Sequence, residues 1–203
     1  MINRQGNLVV RAPKRASLIE IEKFVRVKQS WIQEKSAQMR QRRPVAKAFV
    51  DGEKFLFLGQ EYQLRIIDDY RSKLDFDGSF AISKYFLPKA RRLFEEWYRR
   101  QARELLERRA NFYEAQMGVV HRRLSITAAS SRWGSCSSKA TVNFSWRLIM
   151  APMEVVDYVV VHELSHMLHH NHSGKFWLMV GRFCPDFRSA KFWLDRHGHR
   201  LAL

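Results

Sequence analysis

The sequence predicts an α+β fold, and three stretches of the 203 residues carry the prediction. Residues 49–84 combine short apolar runs with Asp-Gly turn signals, which favours a small antiparallel sheet. Pro88 then opens a long amphipathic pattern, as expected of a proline in the first turn of a helix. Three further strand-like runs between residues 124 and 146 lead into an apolar helix. Strands and helices thus occur in separate blocks along the chain, which is typical of the α+β class.

The N-terminal element is a predicted helix. Ser17 and Glu20 have the spacing of a capping box, in which each side chain accepts a hydrogen bond from the other residue's backbone N–H. The apolar residues that follow recur near a 3.6-residue period toward Met39, so we expect one face of the helix to be buried. Three arginines at its end are candidates for phosphate contact, with a solvated helix end as the alternative: Arg40, Arg42 and Arg43.

Two turn signals organise the predicted sheet of residues 49–84. Asp51-Gly52 lies between apolar runs and is the signal for a tight hairpin. Asp77-Gly78 is a second signal of the same kind, and an alternating run at 62–67 supplies a further strand. We expect these strands to be antiparallel and their aromatic residues to lie in the core.

A long helix is predicted from Lys89 to about Met117, closed by Gly118, and it is rich in arginine. The whole chain has a formal net charge of +16, which attracts polyanions such as nucleic acid and nucleotides. Seven arginines of this helix could form such a surface: Arg91, Arg92, Arg99, Arg100, Arg103, Arg108 and Arg109. Four glutamates of the same helix could instead pair with them locally: Glu95, Glu96, Glu104 and Glu107.

Composition excludes several classes of protein. A hydrophobic content of 46% is enough for a core, and no apolar run approaches the roughly 18 residues that a membrane span needs. Two cysteines, Cys136 and Cys184, do not form a disulfide framework. Residues Met1 to Gly6 contain no apolar signal segment, so we expect a cytoplasmic protein with no membrane partner. The oligomeric state does not follow from the sequence.

The helix that follows the later strands contains the motif H-E-x-x-H. His162 and His166 are one helical turn apart, so both imidazoles project from one face at metal-binding separation. Glu163 lies beside the first ligand, where it can polarise a water without binding the metal itself. His172 offers a third ligand and leaves the fourth position open, and Ser173 after it can cap the start of a new helix. This is the arrangement of a catalytic zinc site, since structural zinc sites close all four positions.

Two alternatives stay open at this helix. His169 or His170 could replace His172 as the third ligand. The helix could also be an ordinary core helix with two satisfied histidines and a surface glutamate, but so many histidines beside an apolar run are hard to explain by packing. Tyr158 lies one turn before His162, so its hydroxyl could contact a ligand or a transition-state oxygen, with simple packing as the alternative.

The strands before the helix contain candidate substrate-binding residues. A sheet edge beside a metal helix can receive an extended substrate by strand addition. Gly134 would let a substrate backbone come close, and Arg132 could bind a carboxylate or a phosphate. Cys136 could act as a nucleophile with a histidine, although a small buried thiol is the usual finding. The complete set of substrate-binding candidates is Arg132, Trp133, Gly134, Ser135, Asn143 and Tyr158.

Several segments together resemble the YgjP-like family of predicted zinc metallopeptidases. Those around the metal motif are Arg132–Ser137, Asn143–Leu148, Ala151-Pro152, Asp157–His166, His172-Ser173 and Phe176-Trp177. Those upstream are Val9–Pro13, Trp31-Ile32 and Phe57–Gly59, so the resemblance covers nearly the whole chain. It implies a zincin-like C-terminal core, made of a short antiparallel sheet and the H-E-x-x-H helix. It also implies a relation to the WLM and SprT-like proteases, which are associated with DNA–protein crosslink repair. By position, it implies one Zn²⁺ held by His162, His166 and His172, with Glu163 as general base.

Three functions are compatible with these observations. The first is a zinc metallopeptidase that cleaves protein or peptide substrates, drawn by its basic surface to nucleic-acid-associated proteins. The second is a pyrophosphatase for uridine triphosphate at the same site, an activity attributed to some members of the family, although the chain lacks the phosphate loop G-x-x-x-x-G-K-[ST]. The third is a basic nucleic-acid-binding module with a vestigial metal site, which would not need Glu163. In domain terms we expect an α/β-hairpin region over 1–87 and a metallopeptidase core over 88–203.

Overall fold

The computed structural model describes residues 8–13, 15–41 and 46–203. By its internal contacts the chain forms two compact units, Met1–Val45 and Ala46–Leu203. A boundary at residue 87 would fall inside the second unit, where residues on both sides of it pack together. Three side chains considered above for phosphate contact lie outside the described part of the chain: Arg40, Arg42 and Arg43.

The first unit contains two helices where the sequence predicts one. Helix α1 spans Leu18–Val27 and α2 spans Gln29–Gln41, with the break at Lys28. The predicted capping box is confirmed, since Glu20 N donates to Ser17 Oγ at 3.2 Å and Ser17 N donates to Glu20 Oε2 at 3.1 Å. None of the residues of α1 is buried, so the expected buried face is not found there.

The first sheet of the second unit has the strand order β1-β2-β4-β3. Its strands are β1 (Lys54–Phe57), β2 (Gln60–Ile67), β3 (Leu74–Phe76) and β4 (Phe80–Ser83). The pairs β1–β2 and β3–β4 are antiparallel, and the second of these turns at Asp77-Gly78 as predicted. Strands β2 and β4 run parallel, so the expectation of a wholly antiparallel sheet is wrong.

The hairpin turn between β1 and β2 is Leu58-Gly59 and not Asp51-Gly52. Both Leu58 and Gly59 have positive φ angles, 48° and 80°, which is the backbone of the tight turn that matches strand twist. Asp51 has a different role, because its Oδ1 accepts a hydrogen bond from the backbone N–H of Ile66 at 2.8 Å. The Asp-Gly signal therefore marks a turn beside the sheet.

Helix α3 spans Ala90–Met117 and packs against the first sheet. It ends at Gly118 with φ 68°, as predicted, while Pro88 lies in a 3-10 turn just before it. The ring of Phe94 stacks on Phe55 with centroids 4.2 Å apart, and the Tyr98 hydroxyl donates to the Leu56 carbonyl at 2.6 Å. The aromatic residues of this sheet are thus in the core, as expected.

The second sheet has the strand order β5-β7-β6. Its strands are β5 (Arg123–Thr127), β6 (Gly134–Cys136) and β7 (Thr141–Ser145), close to the three predicted runs. Strands β6 and β7 form an antiparallel hairpin. Strand β7 inserts between the other two and runs parallel to β5, so the expectation of an antiparallel core sheet is wrong at this pair. Strand β6 is left at an edge.

Three helices complete the second unit. Helix α4 (Met153–Ser165) begins after Pro152 and contacts α3, β6 and the two helices that follow. Helix α5 (Gly174–Phe183) is capped by Ser173, as predicted, and α6 spans Phe187–His197. The predicted α+β class is confirmed. Within the described residues, no helix combines the length and the apolar character that a bilayer span needs.

Candidate metal centre

Three histidines converge at the end of α4. His162 lies in its last turn, His166 follows as the C-terminal cap, and His172 comes just before the cap of α5. Their ring centroids are between 4.9 and 5.0 Å apart in all three pairs. One ligand atom from each lies within 4.8 Å of the others. The α4–α5 junction thus brings the three predicted ligands together.

The donor atoms fit a single metal ion. The Nε2 atoms of His162 and His172 lie 3.1 Å apart. A zinc ion binds imidazole nitrogen at about 2.0–2.1 Å, so two nitrogens on one tetrahedral ion are separated by roughly 3.3 Å. The side of the cluster at His172 is exposed, whereas His162 and His166 are half-buried. The group therefore resembles a three-histidine site whose remaining face opens to solvent.

The rings are held by different means. Nδ1 of His166 is 3.1 Å from the backbone carbonyl of His169, so this nitrogen can donate to it and leave Nε2 for a metal. Nδ1 of His162 is buried and has no hydrogen-bond partner within the described residues. Packing holds that ring instead, edge to face against Tyr158 at 5.7 Å and Phe176 at 5.0 Å.

The alternatives for the third ligand are not part of this group. His169 and His170 are absent from the cluster formed by the described residues. His169 acts on the site through its main-chain carbonyl, which any residue could supply. The geometry therefore favours His172.

Burial favours the neutral form of two of the three histidines. The pKa of His162 is lowered to about 4, mainly by removal from water and also by the neighbouring His166 and His172 and the charge of Lys191. Burial also lowers the pKa of His166. Neutral imidazole is the form that binds a metal, so these two rings are ready for coordination at neutral pH.

Glu163 is a buried carboxylate, with 6% of its surface exposed. Burial raises its pKa to about 7, and two groups partly oppose that rise: the charge of Arg132 and the backbone N–H of Cys136, which donates to the carboxylate. The side chain thus points from α4 toward β6. At neutral pH it can both accept and release a proton.

Gly134 makes room for Glu163. A Cβ added at Gly134 would lie 2.5 Å from Glu163 Cγ and 2.6 Å from its Oε1, closer than real Cβ contacts allow. The sequence suggests that this glycine admits a substrate backbone, but the space is filled by the catalytic candidate itself. No local signal marks this contact, because the two residues lie on separate elements.

The backbone of β6 also serves the carboxylate. The Trp133 carbonyl accepts from Ser145 N, and Ser137 N donates to the Thr141 carbonyl, so these residues form hydrogen bonds with β7. In an antiparallel pair such residues alternate along the strand, so the backbone groups of Gly134 and Cys136 point away from β7. The Cys136 N–H, which donates a hydrogen bond to the Glu163 carboxylate, is one of these outward groups. Burial raises the pKa of the Cys136 thiol to about 11, so the thiol is protonated at neutral pH and the nucleophile hypothesis loses support.

The other substrate-binding candidates have contacts inside the protein. A Cβ at Gly198 would lie 2.7 Å from the Trp133 ring, so the C-terminal turn packs closely on this indole. Asn143 Nδ2 donates to Ser135 Oγ at 3.3 Å across the β6–β7 pair. Tyr158 packs between His162 and Phe187. Arg132 is exposed and lies close enough to Glu163 to influence its charge.

Sequence reasoning missed two aromatic rings beside the ligands. Phe176 is fully buried, with its centroid 4.7 Å from His166 and 4.8 Å from His172. Trp177 stacks on His172 at 5.6 Å with an interplanar angle of 24°. Both lie in the first turn of α5, a few residues after His172 and the Ser173 cap. Their closeness in sequence to His172 is the signal that could have identified them.

Comparison with curated protein sequences gave no match. Among solved structures, the crystal structure of the metallopeptidase zymogen of Pyrococcus abyssi abylysin is similar over 45% of this chain and 90% of that chain, with 24% identity and a TM-score of 0.40. The model of the YgjP-like family, described as a metallopeptidase domain, matches residues 1–197 and confirms the resemblance seen in the sequence. The chain belongs to the YgjP-like family and is a metallopeptidase, a metal-dependent hydrolase.

Proposed function

We propose that this protein is a zinc-dependent peptidase of the H-E-x-x-H type, in which three histidines hold one Zn²⁺ and Glu163 is the general base. The observation that carries the proposal is the division of labour in the site. The imidazoles of His162, His166 and His172 converge on one point, and a buried carboxylate is held beside them by β6. A structural zinc site has a fourth protein ligand, whereas the group formed by the described residues has three.

The residues of the chain divide the reaction between them. Zinc, when bound, supplies Lewis acidity toward the scissile carbonyl and lowers the pKa of water. Glu163 takes a proton from the attacking water at its carboxylate and delivers a proton to the departing amine as the peptide bond breaks. In the metal-free protein, burial raises the pKa of Glu163 to about 7, so both protonation states are accessible near neutral pH.

An extended peptide is the substrate shape that β6 favours. This strand is an edge, so its outward backbone groups are available to a partner strand. One of them, the Cys136 N–H, is already bonded to Glu163, which leaves the Gly134 N–H and C=O and the Cys136 C=O. Arg132 is the best placed charged residue for a substrate carboxylate, because it is exposed beside Glu163.

The basic charge of the chain supports nucleic-acid-associated proteins as substrates. Over the described residues this charge is spread across the surface and does not form one defined binding site. On α3, Arg92 and Arg99 pair with Glu96 and Glu95, which agrees with the local-pairing alternative. Arg109 pairs with Asp157 on α4 at 2.6 Å. The other four arginines of α3 are exposed: Arg91, Arg100, Arg103 and Arg108. Attraction of this kind acts at long range, so cleavage of a DNA-bound protein is expected to weaken as salt is raised.

The proposal is tested by zinc content and turnover in four proteins. The wild type and Glu163→Gln are expected to hold one zinc each, and turnover of the variant should fall about 100- to 10,000-fold, the usual contribution of a general base. His172→Ala is expected to weaken zinc binding by more than ~100-fold, because loss of a residue that only hydrogen-bonds to a metal ligand can already cost that much. His169→Ala is the matched control, because its carbonyl remains.

Each protein is offered an unfolded protein, a DNA-bound protein and nucleoside triphosphates. Cleavage of the proteins supports the peptidase. Hydrolysis of uridine triphosphate without cleavage of protein would select the pyrophosphatase alternative. Activity that survives Glu163→Gln would overturn Glu163 as the general base. Absence of both zinc and turnover from the wild type would leave the nucleic-acid-binding module.

A further inference from the structure

A groove between α5 and α6 lies beside the metal ligands. Its volume is about 490 Å³. Its lining consists of aromatic walls and charged side chains: Trp177, Phe187, Arg188, Lys191, Phe192 and Asp195. None of these residues has a role in the reaction derived above.

Trp177 connects the groove to the metal centre. Its indole stacks on His172, with centroids 5.6 Å apart, and on Phe187 at 5.3 Å. It also lies 5.9 Å from the His162 ring. One side chain is therefore both a wall of the groove and a neighbour of two proposed ligands. The groove is thus close to the place where a scissile bond would lie.

Cations cover the aromatic walls. Lys191 Nζ is 5.4 Å from the Trp177 centroid, and the Arg188 guanidinium is 5.7 Å from Phe187. Arg196 lies over Phe192 in the same way, at 5.4 Å. Asp195 is the one carboxylate of the lining. The ring faces attract these cations, so positive charge is concentrated at the groove.

We propose that this groove is a subsite for an acidic side chain of the substrate, close to the bond that is cut. The inference rests on the proposed peptidase function. The methylene groups of a glutamate would pack on the aromatic walls while its carboxylate pairs with Lys191 and Arg188. An extended peptide advances about 3.3 Å per residue, so a residue one to three positions from the scissile bond can reach the groove.

The test uses peptides that differ at one position. Glutamate, glutamine, lysine or phenylalanine is placed in turn at each of the three residues on either side of the cleaved bond. At one of these positions we expect kcat/KM to be about 1.5- to fivefold higher for glutamate than for glutamine, the range for an exposed ion pair. Lys191→Glu is expected to reverse the order so that lysine is preferred, and Arg188→Glu to weaken the glutamate preference.

Lys73→Glu is the matched control, since it makes the same charge change at an exposed residue just before β3. It should leave the glutamate preference intact, and loss of the preference in this variant would overturn the subsite. Equal cleavage of all four peptides, a preference for phenylalanine, or an unchanged preference in Lys191→Glu would also overturn it while leaving the peptidase proposal standing. If the wild type cleaves no peptide, the peptidase proposal itself fails and the subsite fails with it.

Discussion

The two sheets of the second unit are built in a similar way and have different roles. The first joins two antiparallel hairpins through one parallel strand pair, and the second joins one antiparallel hairpin to a single parallel strand. The first sheet packs its aromatic side chains against α3. The second sheet presents the edge strand β6 to α4, and this edge contacts the carboxylate of Glu163. One sheet thus supplies volume to the core, and the other supplies a place for a reactive group.

The difference lies in what each key residue contributes. Phe80 is fully buried, and its ring lies within 4.9 Å of both Phe94 and Trp97. Gly134 contributes the absence of a side chain, which Glu163 uses. A change in the first sheet should therefore cost stability, and a change at β6 should cost reactivity. Three measurements test this separation.

Phe80→Ala should have the largest effect, and on stability alone. Removing a fully buried phenylalanine leaves a cavity among aromatic rings and typically costs about 3–5 kcal/mol of unfolding free energy. Urea unfolding measures the loss, and kcat per folded, zinc-loaded molecule should stay near the wild-type value. Tyr85→Ala is the control, because that ring is 58% exposed. A fall in kcat at unchanged stability would break the comparison.

Gly134→Ala should have the next largest effect, on reactivity. The new methyl group must displace the Glu163 carboxylate, and a shift of about 1 Å in a catalytic group can cost up to ~100-fold in kcat. Zinc content and KM should change little, since the three atoms nearest to the new methyl group all belong to Glu163. Gly174→Ala is the matched control, because a Cβ there meets nothing within 4 Å. Full activity in Gly134→Ala would mean that β6 does not position the base.

The smallest effect is on the stability of the metal-free protein. It measures how much unfolding free energy is lost because a charged carboxylate is buried beside β6. Burial raises the pKa of Glu163 from 4.5 to about 7. The stability that comes with its protonated form is therefore present below pH 4.5 and is lost as the pH rises through 7. Glutamine is uncharged at every pH. Metal-free Glu163→Gln should thus be more stable than the wild type by about 1–3 kcal/mol at pH 8.

Most of that gain should disappear at pH 5, where the native wild type is largely protonated. Unfolding of both proteins, treated with a chelator, at the two pH values measures this stability difference. The titration of His162 occurs in both proteins and therefore cancels in the difference. A gain of the same size at pH 5 and pH 8 would contradict a raised pKa at Glu163.

Local signals explain what the sequence predicted correctly. The capping box of Ser17 and Glu20, the left-handed Gly118 and the cap at Ser173 each act within a few residues, so each was visible in the sequence. The spacing of His162 and His166 likewise needs only one helical turn. The spacing alone left the third ligand open among three histidines, and the α4–α5 junction favours His172.

Long-range relations explain what it did not predict. Turn residues report on consecutive strands, so nothing local indicates that β2 pairs in parallel with β4 or β5 with β7. Asp51-Gly52 and Leu58-Gly59 both carry turn residues, and only the packing of β1 on β2 decides which one joins a hairpin. The contact of Gly134 with Glu163 joins two elements, and so does the groove between α5 and α6.

The hydrogen bond from Cys136 to Glu163 comes from the main chain. Every amino acid except proline offers the same N–H, so the support for the carboxylate does not depend on which side chain occupies position 136. Residues other than proline can therefore replace Cys136 and change the surroundings of the base, while the N–H group that holds the carboxylate remains. The position of the Glu163 carboxylate thus depends on the course of the β6 backbone, and the side chain at position 136 is free to differ.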